Sequence, residues 1–402
     1  MADFGSELDA FRTEARDWLE ANFPQSLRKN REAAEAAMGP EKPKGDMAAW
    51  KQAMGAKGWG TPTWPKEYGG GGLTPAQNRV LQQEMDRLGA YNPIVGMGTS
   101  MFGPTLLEYG TDAQKQRHIP PIVRGELRWC QGYSEPGAGS DLASLQTKAE
   151  DKGDHFLING QKIWTSGAQW ADWCFCLVRT DPKAKKHEGI SFVLIDMHQP
   201  GVETRPIKLI AGNSPFCETF FTDAKAKKED LVGPLNGGWT VGKRLLQHER
   251  SGQGGARMIG GGGASIPDLA KKYVGVDEAG RIDDVDLRSR IISHMINAKA
   301  HMLTIQRAQA EAKGNLNPSA TTSVMKNSGT WVGQERAELT LEIMGHQGLG
   351  WEGDDFNAEE LQAVRGWLGG KATTIYGGSQ EVQSNIVSKR ILGLPDPLNT
   401  GA

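Results

Sequence analysis

Apolar residues recur at steps of three and four across residues 9–23, at Phe11, Ala15, Trp18, Leu19 and Phe23, which predicts an amphipathic helix ended by Pro24. Helical patterns follow over 47–57, over 75–88 with Thr74 as N-cap and Pro75 at the first helical position, and over 112–123. The glycine-rich stretch 58–72, GWGTPTWPKEYGGGG, reads as loop. Past Trp129 the period shortens to two. HFLINGQKIW (155–164) sets Asn159-Gly160 between two alternating runs, which predicts a hairpin turning at that dipeptide. Strand-like runs continue over 173–180, 190–197, 202–210 and 218–224, at the spacing of a sandwich or barrel. From Val241 helices return, over 287–312 with Leu287, Ile291, Met295, Ala298, Met302 and Ile305 on one face, then over 323–344 and 381–392.

The pattern divides the chain into a helical region 1–128, a β region 129–239 and a helical region 240–402, an α+β organisation. Helices and strands stand in blocks and do not alternate, which argues against a doubly wound parallel sheet. The 402 residues suffice for two to three domains. The 46 Lys and Arg against 48 Asp and Glu leave a net charge of −2, so nothing calls for a nucleic-acid partner. Cys130, Cys174, Cys176 and Cys217 have neither C-x-x-C nor zinc spacing, which argues against disulfides and a metal site. The start has acidic residues and no apolar core, unlike a signal or transit peptide, and no run of about 18 apolar residues suggests membrane insertion. The expectation is a soluble, cytoplasmic protein.

Signatures of P-loop, serine-hydrolase, zinc-protease and EF-hand sites are absent, and the glycine runs at 69–72 and 260–263 lack the G-x-G-x-x-G spacing that cradles a pyrophosphate. What stands out is GYSEPGAGSDLASLQTKAEDKGDHFLINGQKIWTSGAQWADW, with Ser134-Glu135-Pro136-Gly137-Ala138-Gly139-Ser140-Asp141, then Asn159-Gly160, then Trp164-Thr165-Ser166 in that order. This segment resembles the β-domain signature of the acyl-CoA dehydrogenases, flavoproteins that introduce a trans α,β double bond into acyl-CoA thioesters. The likeness extends to the loop at 58–70 and to TTIYGGSQEVQSNIVSKRILGLP near the C-terminus. It implies an N-terminal helical domain, a β-barrel-like middle domain and a C-terminal four-helix bundle. It also implies FAD bound by Tyr133, Ser134, Gly139, Ser140, Trp164, Thr165 and Ser166, with Ser140 near the CoA as well. A flavin needs donors at its polar edge and short residues where the backbone approaches the ring.

Dehydrogenation also needs a base for the α-proton. Many members of the family carry a glutamate in Tyr-Glu-Gly-Thr near the C-terminus, where this chain reads Tyr376-Gly377-Gly378-Ser379. Others carry it in a Glu-Arg pair on the first helix after the β domain, and LLQHERSG supplies Glu249-Arg250 there. The resemblance therefore assigns Glu249 as general base, Arg250 to substrate, and the backbone of Gly377 or Gly378 to the thioester carbonyl. Met97, Met101, Phe102 and Leu246 suit an acyl-pocket wall, and Lys148, Lys162 and Arg250 suit the CoA phosphates, although such residues serve more often as core and solvated surface.

Two family motifs complete the flavin site from a neighbouring subunit. The loop appears as Glu342-Ile343-Met344-Gly345-His346-Gln347-Gly348, which puts Gly345, Gln347 and Gly348 at the cofactor, and Ser379 and Glu381 match positions at its adenine end. The Arg-Phe-Gly motif is replaced by GRIDDVDLRSRI. The expected partners are an acyl-CoA, an electron-transfer flavoprotein, and further chains in a homodimer, homotetramer or heteromer. The alternatives are an FAD- or substrate-binding subunit of a heteromeric dehydrogenase, distinguished by copurification and flavin content, or oxidase, monooxygenase or desulfinase chemistry on the same fold.

Overall fold

The computed structural model describes residues 4–28, 41–253, 265–312 and 319–395, with side chains described over 7–28, 41–248, 265–308 and 321–395. The chain clusters into two compact units, Met1–Ile207 with Pro215–Leu245, and Lys208–Ser214 with Leu246–Ala402.

The first unit opens with α1 (Phe4–Asn22), α2 (Gly45–Lys57) and α3 (Pro75–Leu88). Their apolar faces meet around Leu19, Trp50, Met54 and Leu81. Trp50 is fully buried and its indole N–H donates to Tyr91 O at 2.8 Å, so this large side chain leaves no polar atom stranded. Thr74 caps α3 in a reciprocal bond with Gln77, as Pro75 at the first helical position suggests. Glu84, 2% exposed, takes Arg12 at 3.0 Å, Arg16 at 3.1 Å and Arg87 at 2.8 Å, tying α1 to α3. A π-helical turn, Gly98–Phe102, leads into α4 (Gly103–Tyr109), and α5 (Asp112–Val123) follows. Gly103 is required by packing, because a Cβ there would lie 2.0 Å from the Trp64 ring.

The strands form one sheet in the order β6-β7-β3-β2-β4-β5-β8, with β1 also on β4: β1 (Trp129–Gly132), β2 (Lys148–Asp151), β3 (His155–Ser166), β4 (Trp173–Arg179), β5 (Ile190–Asp196), β6 (Val202–Ile207), β7 (Phe216–Lys227) and β8 (Leu231–Val232). The hairpin expected at Asn159-Gly160 does not form. Residues 155–166 are one strand, antiparallel to β7 throughout, with a register shift between Ile158 and Gly160. Asn159 and Asp223 bond reciprocally at 2.9 Å across that shift, and a Cβ at Gly160 would lie 2.6 Å from Thr147 Oγ1. The dipeptide lies opposite a bulge of β7 at Thr222-Asp223 and makes no turn.

α5 is seated on the sheet through Gln114, whose amide donates to Glu229 O and Leu231 O at 2.8 Å, and through Arg117 to Asp230 at 2.8 Å. Its His118 is 1% exposed among Phe102, Trp129 and Trp173, and its Nε2 has no partner. Met101 and Phe102, considered above as pocket walls, are buried; Phe102 stacks on Trp129 at 3.9 Å and on Phe175 at 5.5 Å. The four cysteines are free and buried.

The second unit holds the end of α6 (Gly238–Gln253), then α7 (Ile266–Tyr273), α8 (Val285–Ala312), α9 (Ser319–Met344), α10 (Ala358–Gly370) and α11 (Gln380–Arg390). α9 packs against α7, α8, α10 and α11, around Leu269, Ile291, Leu339 and Ile343. None of the described helices is long and apolar enough to cross a membrane.

Two buried groups contribute to the acid response. Burial, with help from Arg117, lowers the His118 pKa to about 4, and the Arg16, Arg87 and Arg12 hydrogen bonds outweigh burial to lower Glu84 to about 2. The unfolded chain takes up protons that the folded one refuses, below about 6.5 for histidine and about 4.3 for glutamate. Stability is therefore expected to fall in two successive steps on acidification. In melting temperatures measured against pH, His118→Phe should shrink the upper fall and Glu84→Gln the lower; an unchanged profile would contradict the assignment.

Candidate active site

β4 carries β5 along one edge, and β1 and then β2 along the other, both parallel to it. The chain between β1 and β2 leaves this edge at Tyr133 and returns at Thr147, whose carbonyl accepts from Arg179 N at 2.7 Å. Within that excursion Glu135 N donates to Ala138 O and Ala138 N to Glu135 O, both at 3.0 Å, closing a tight turn. Pro136, Gly137, Gly139 and Ser140 are exposed, and a Cβ on Gly137 or Gly139 would meet nothing within 4 Å. The return limb is fastened by Arg179, which donates to Ala143 O at 2.7 Å and to Leu145 O at 3.2 Å.

Beside this turn runs the end of β3. The β3–β7 register shifts again between Lys162 and Thr165, and Trp164 takes a left-handed φ of 59°. Its indole is 53% exposed, with Phe216 edge-on at 6.1 Å. A tryptophan in this region of backbone space is strained, and its exposed ring forgoes burial; both costs fall on one residue, which points to a functional face. Ser166 is half-buried two residues on.

The turn and the strand end are held together from below. Lys162 is fully buried; its Nζ donates to Glu135 Oε1 at 2.8 Å and to Tyr133 O at 3.1 Å. Ile163 N donates to Ser134 O at 2.9 Å. Glu135 accepts from Gln146 N at 2.6 Å and Thr147 N at 2.8 Å. Burial alone would raise its carboxyl, but the Lys162 charge and these hydrogen bonds hold it below the usual value.

This geometry sorts the residues expected at a flavin. Ser134, Gly139 and Ser140 lie in or beside the open turn, and Trp164 is exposed at the strand end. Tyr133 and Thr165 are turned inward: Tyr133 stands edge-on to Phe175 and Phe192, and the fully buried Thr165 hydroxyl has no partner. Lys162, considered above for CoA phosphates, is sequestered by Glu135 and cannot meet them; Lys148 is exposed. An aromatic face, an open glycine turn and small hydroxyl residues are what an isoalloxazine ring requires, so the residues present fit FAD. Among the described residues no cluster of His, Cys, Asp or Glu could hold a metal ion.

The second unit carries the other candidates. Gly345, at φ 56°, and Gln347 and the buried Gly348 form the turn after α9, and Gln347 reaches Asp355 O at 3.5 Å. Ser379 caps α11, its hydroxyl accepting from Val382 N, and Glu381 sits in the first turn with its carboxyl lowered by the Ser379 hydrogen bond. Gly377 and Gly378 are both left-handed, at φ 67° and 89°. The fully buried Gln383 donates to Gly377 O at 2.8 Å and Lys326 Nζ to Gly378 O at 2.6 Å. Glu249 and Arg250 belong to the last turns of α6, and their side chains lie outside the described residues.

Sequence analysis missed Lys162 and Glu135 as a pair, although a signal was present. Lys162 shares the parity of Phe156 and Ile158, the inward-facing residues of β3.

Comparison with known proteins gives three consecutive family matches: the acyl-CoA dehydrogenase N-terminal domain over residues 5–126, its middle domain over 130–224 and its C-terminal domain over 236–392. The acyl-CoA dehydrogenase IpdE1 of Mycolicibacterium smegmatis is 37% identical over 404 residues, covering 97% of this chain and 98% of that protein. Among solved structures, the Tcur3481-Tcur3483 steroid ACAD matches at a TM-score of 0.77 and 29% identity, covering 97% of this chain and 98% of that one. The ChsE4-ChsE5 complex from Mycobacterium tuberculosis matches at 0.75 and 28%, covering 98% and 100%. This chain belongs to the acyl-CoA dehydrogenase family, and is with it an FAD-dependent oxidoreductase.

Proposed function

We propose that this chain dehydrogenates a bulky, polycyclic acyl-CoA thioester to the trans-2-enoyl-CoA and passes the electrons to an electron-transfer flavoprotein. The observation that carries the reading is the exposed, left-handed Trp164 beside the open Ser134–Ser140 turn, a surface suited to a flat cofactor. The polycyclic class is supported by the steroid ACAD name of a structural neighbour that aligns along nearly its whole length. When bound, FAD supplies the acceptor for the β-hydrogen and two electrons.

The chain's own residues do the rest. Ser134, Gly139, Ser140, Trp164 and Ser166 hold the cofactor by side chain and backbone, and Tyr133 and Thr165 act through their main chain. Gly345, Gln347 and Gly348 serve the FAD of a neighbouring subunit, and Ser379 and Glu381 suit the adenine end of a cofactor. The Glu249 carboxylate takes the α-proton, and closure of an apolar pocket around it would raise its pKa and strengthen it as a base. The Gly377 and Gly378 N–H groups donate to the thioester carbonyl as negative charge develops on its oxygen. The Gly378 N–H is held in orientation because Gln383 engages the Gly377 carbonyl of the same peptide plane. Arg250 meets the CoA portion.

Assembly with further chains, including a related non-identical one, belongs to the same reading. Ile292, Met295, Ile296 and Leu303 on α8 and Trp331 on α9 are each about half exposed or more, an apolar display that suits a partner surface. Two neighbours are named as pairs of different chains, and the Arg-Phe-Gly motif is absent here.

Anaerobic titration of the FAD-loaded protein with straight-chain, branched and steroid-derived acyl-CoA thioesters tests the reaction. The oxidised flavin band should bleach with a polycyclic thioester, and Glu249→Gln should slow bleaching by about 10²–10⁴-fold at unchanged FAD content. Bleaching of Glu249→Gln at the wild-type rate would reassign the base, and a wild type that bleaches with none of the thioesters would sink the reaction.

The assembly has its own test. Ile296→Glu should shift the native mass of the purified complex towards the single chain; an unchanged mass would remove the α8 face from the interface.

A further inference from the structure

The flavin-facing turn and the end of β3 are separate pieces of chain, yet a ring lying against both tolerates little change in their spacing. Three consecutive residues of one strip are tied to two of the other: Tyr133 O and Glu135 Oε1 to Lys162 Nζ, and Ser134 O to Ile163 N. The only charged members of this junction are Lys162, fully buried, and Glu135, 8% exposed. Placing an ammonium and a carboxylate out of water costs several kcal/mol for each ion before they attract one another, so a sheet needing only cohesion is served as well by apolar side chains. What the pair adds is registry, because the ammonium reaches two acceptors at once and the carboxylate collects two backbone N–H groups from the return limb. The pair also sits where β3 leaves its regular ladder, immediately before the left-handed Trp164.

We propose that Lys162 and Glu135 are positioning residues for FAD: their buried ion pair sets the distance between the Ser134–Ser140 turn and the Trp164–Ser166 strand end, and so governs cofactor affinity without touching the reacting atoms. The inference rests on the flavin site assigned above.

The test compares wild type, Lys162→Met and Glu135→Gln, the last nearly isosteric and still able to accept from Thr147 N. Arg117→Met is the control, since it breaks the Arg117 link to buried Asp230 elsewhere in the same unit. For each, the FAD dissociation constant of the folded apoprotein, the visible circular dichroism of bound flavin and the apoprotein melting temperature are measured. Lys162→Met and Glu135→Gln should raise the dissociation constant about tenfold or more, equivalent to ~1.4 kcal/mol, and alter the flavin dichroism. Arg117→Met should lower the melting temperature and leave both flavin readouts unchanged. If Lys162→Met does not fold, Glu135→Gln carries the same expectation. Wild-type FAD affinity and dichroism in the pair variants would overturn the inference alone, whereas a wild type that binds no FAD would overturn the flavin site and the inference with it.

Discussion

Strand β3 has to keep its backbone hydrogen-bonded between β2 and β7 while delivering a tryptophan to the outside of the sheet, and these demands conflict. In an uninterrupted strand every second residue faces inward, and Phe156, Ile158 and Lys162 follow that rule. Continued unbroken, the alternation would bury Trp164 and expose Thr165. The register shift between Lys162 and Thr165 reverses the phase, so Trp164 emerges and Thr165 goes in. At that point Ile163 N is bonded to Ser134 O, which joins the strand to the turn. The bulge therefore accounts for the exposed ring, the buried threonine and the coupling between the two strips.

The inward turn of Tyr133 has a similar origin. Its ring fills the space beside Phe175 and Phe192, whose own rings stack nearly parallel at 6.1 Å, and thereby anchors the end of β1. With its side chain committed to the core, the residue offers a site only its backbone, and its carbonyl is taken by Lys162. Farther on, Gly137 and Gly139, where a Cβ would meet nothing within 4 Å, leave the open space that a ligand surface needs.

Much of this organisation was legible in the residues. The helices over 75–88 and 112–123 announce themselves by threonine caps and apolar spacing, and the strand runs at 173–180 and 190–197 lie where β4 and β5 form. Long-range fit was not legible. Asn159-Gly160 has hairpin composition, but its glycine is needed because Thr147 lies against it, and its asparagine is held by Asp223, 64 residues away. Gly98–Tyr109 contains two glycines that weaken a helical reading, and the space for Gly103 is dictated by Trp64. Ala358–Gly370 likewise ends in glycines that conceal a helix stabilised by its Asn357 capping box. At the site, the motif order singled out the Ser134–Ser140 turn and the end of β3, yet the bulge between Lys162 and Thr165 decided which side chains face outward. A phase reversal leaves no trace in composition.

The buried charges in the first unit divide the work of holding it together. Glu84 gathers three arginines that keep much of their surface in water, so the carboxylate alone bears most of the desolvation while the cations remain hydrated. That arrangement fastens helix to helix and tolerates small movements, because long exposed arginines can follow. The Lys162–Glu135 pair has no such slack. Both ions are enclosed, their partners include main-chain atoms of fixed position, and a displacement of either strip would leave a charge unpaired in a poor dielectric. Stiffness of this kind is of little use to a helix pair and of direct use to two chain segments that must present one flat surface. The structure thus places its compliant charge cluster between helices and its rigid one beneath the Ser134–Ser140 turn.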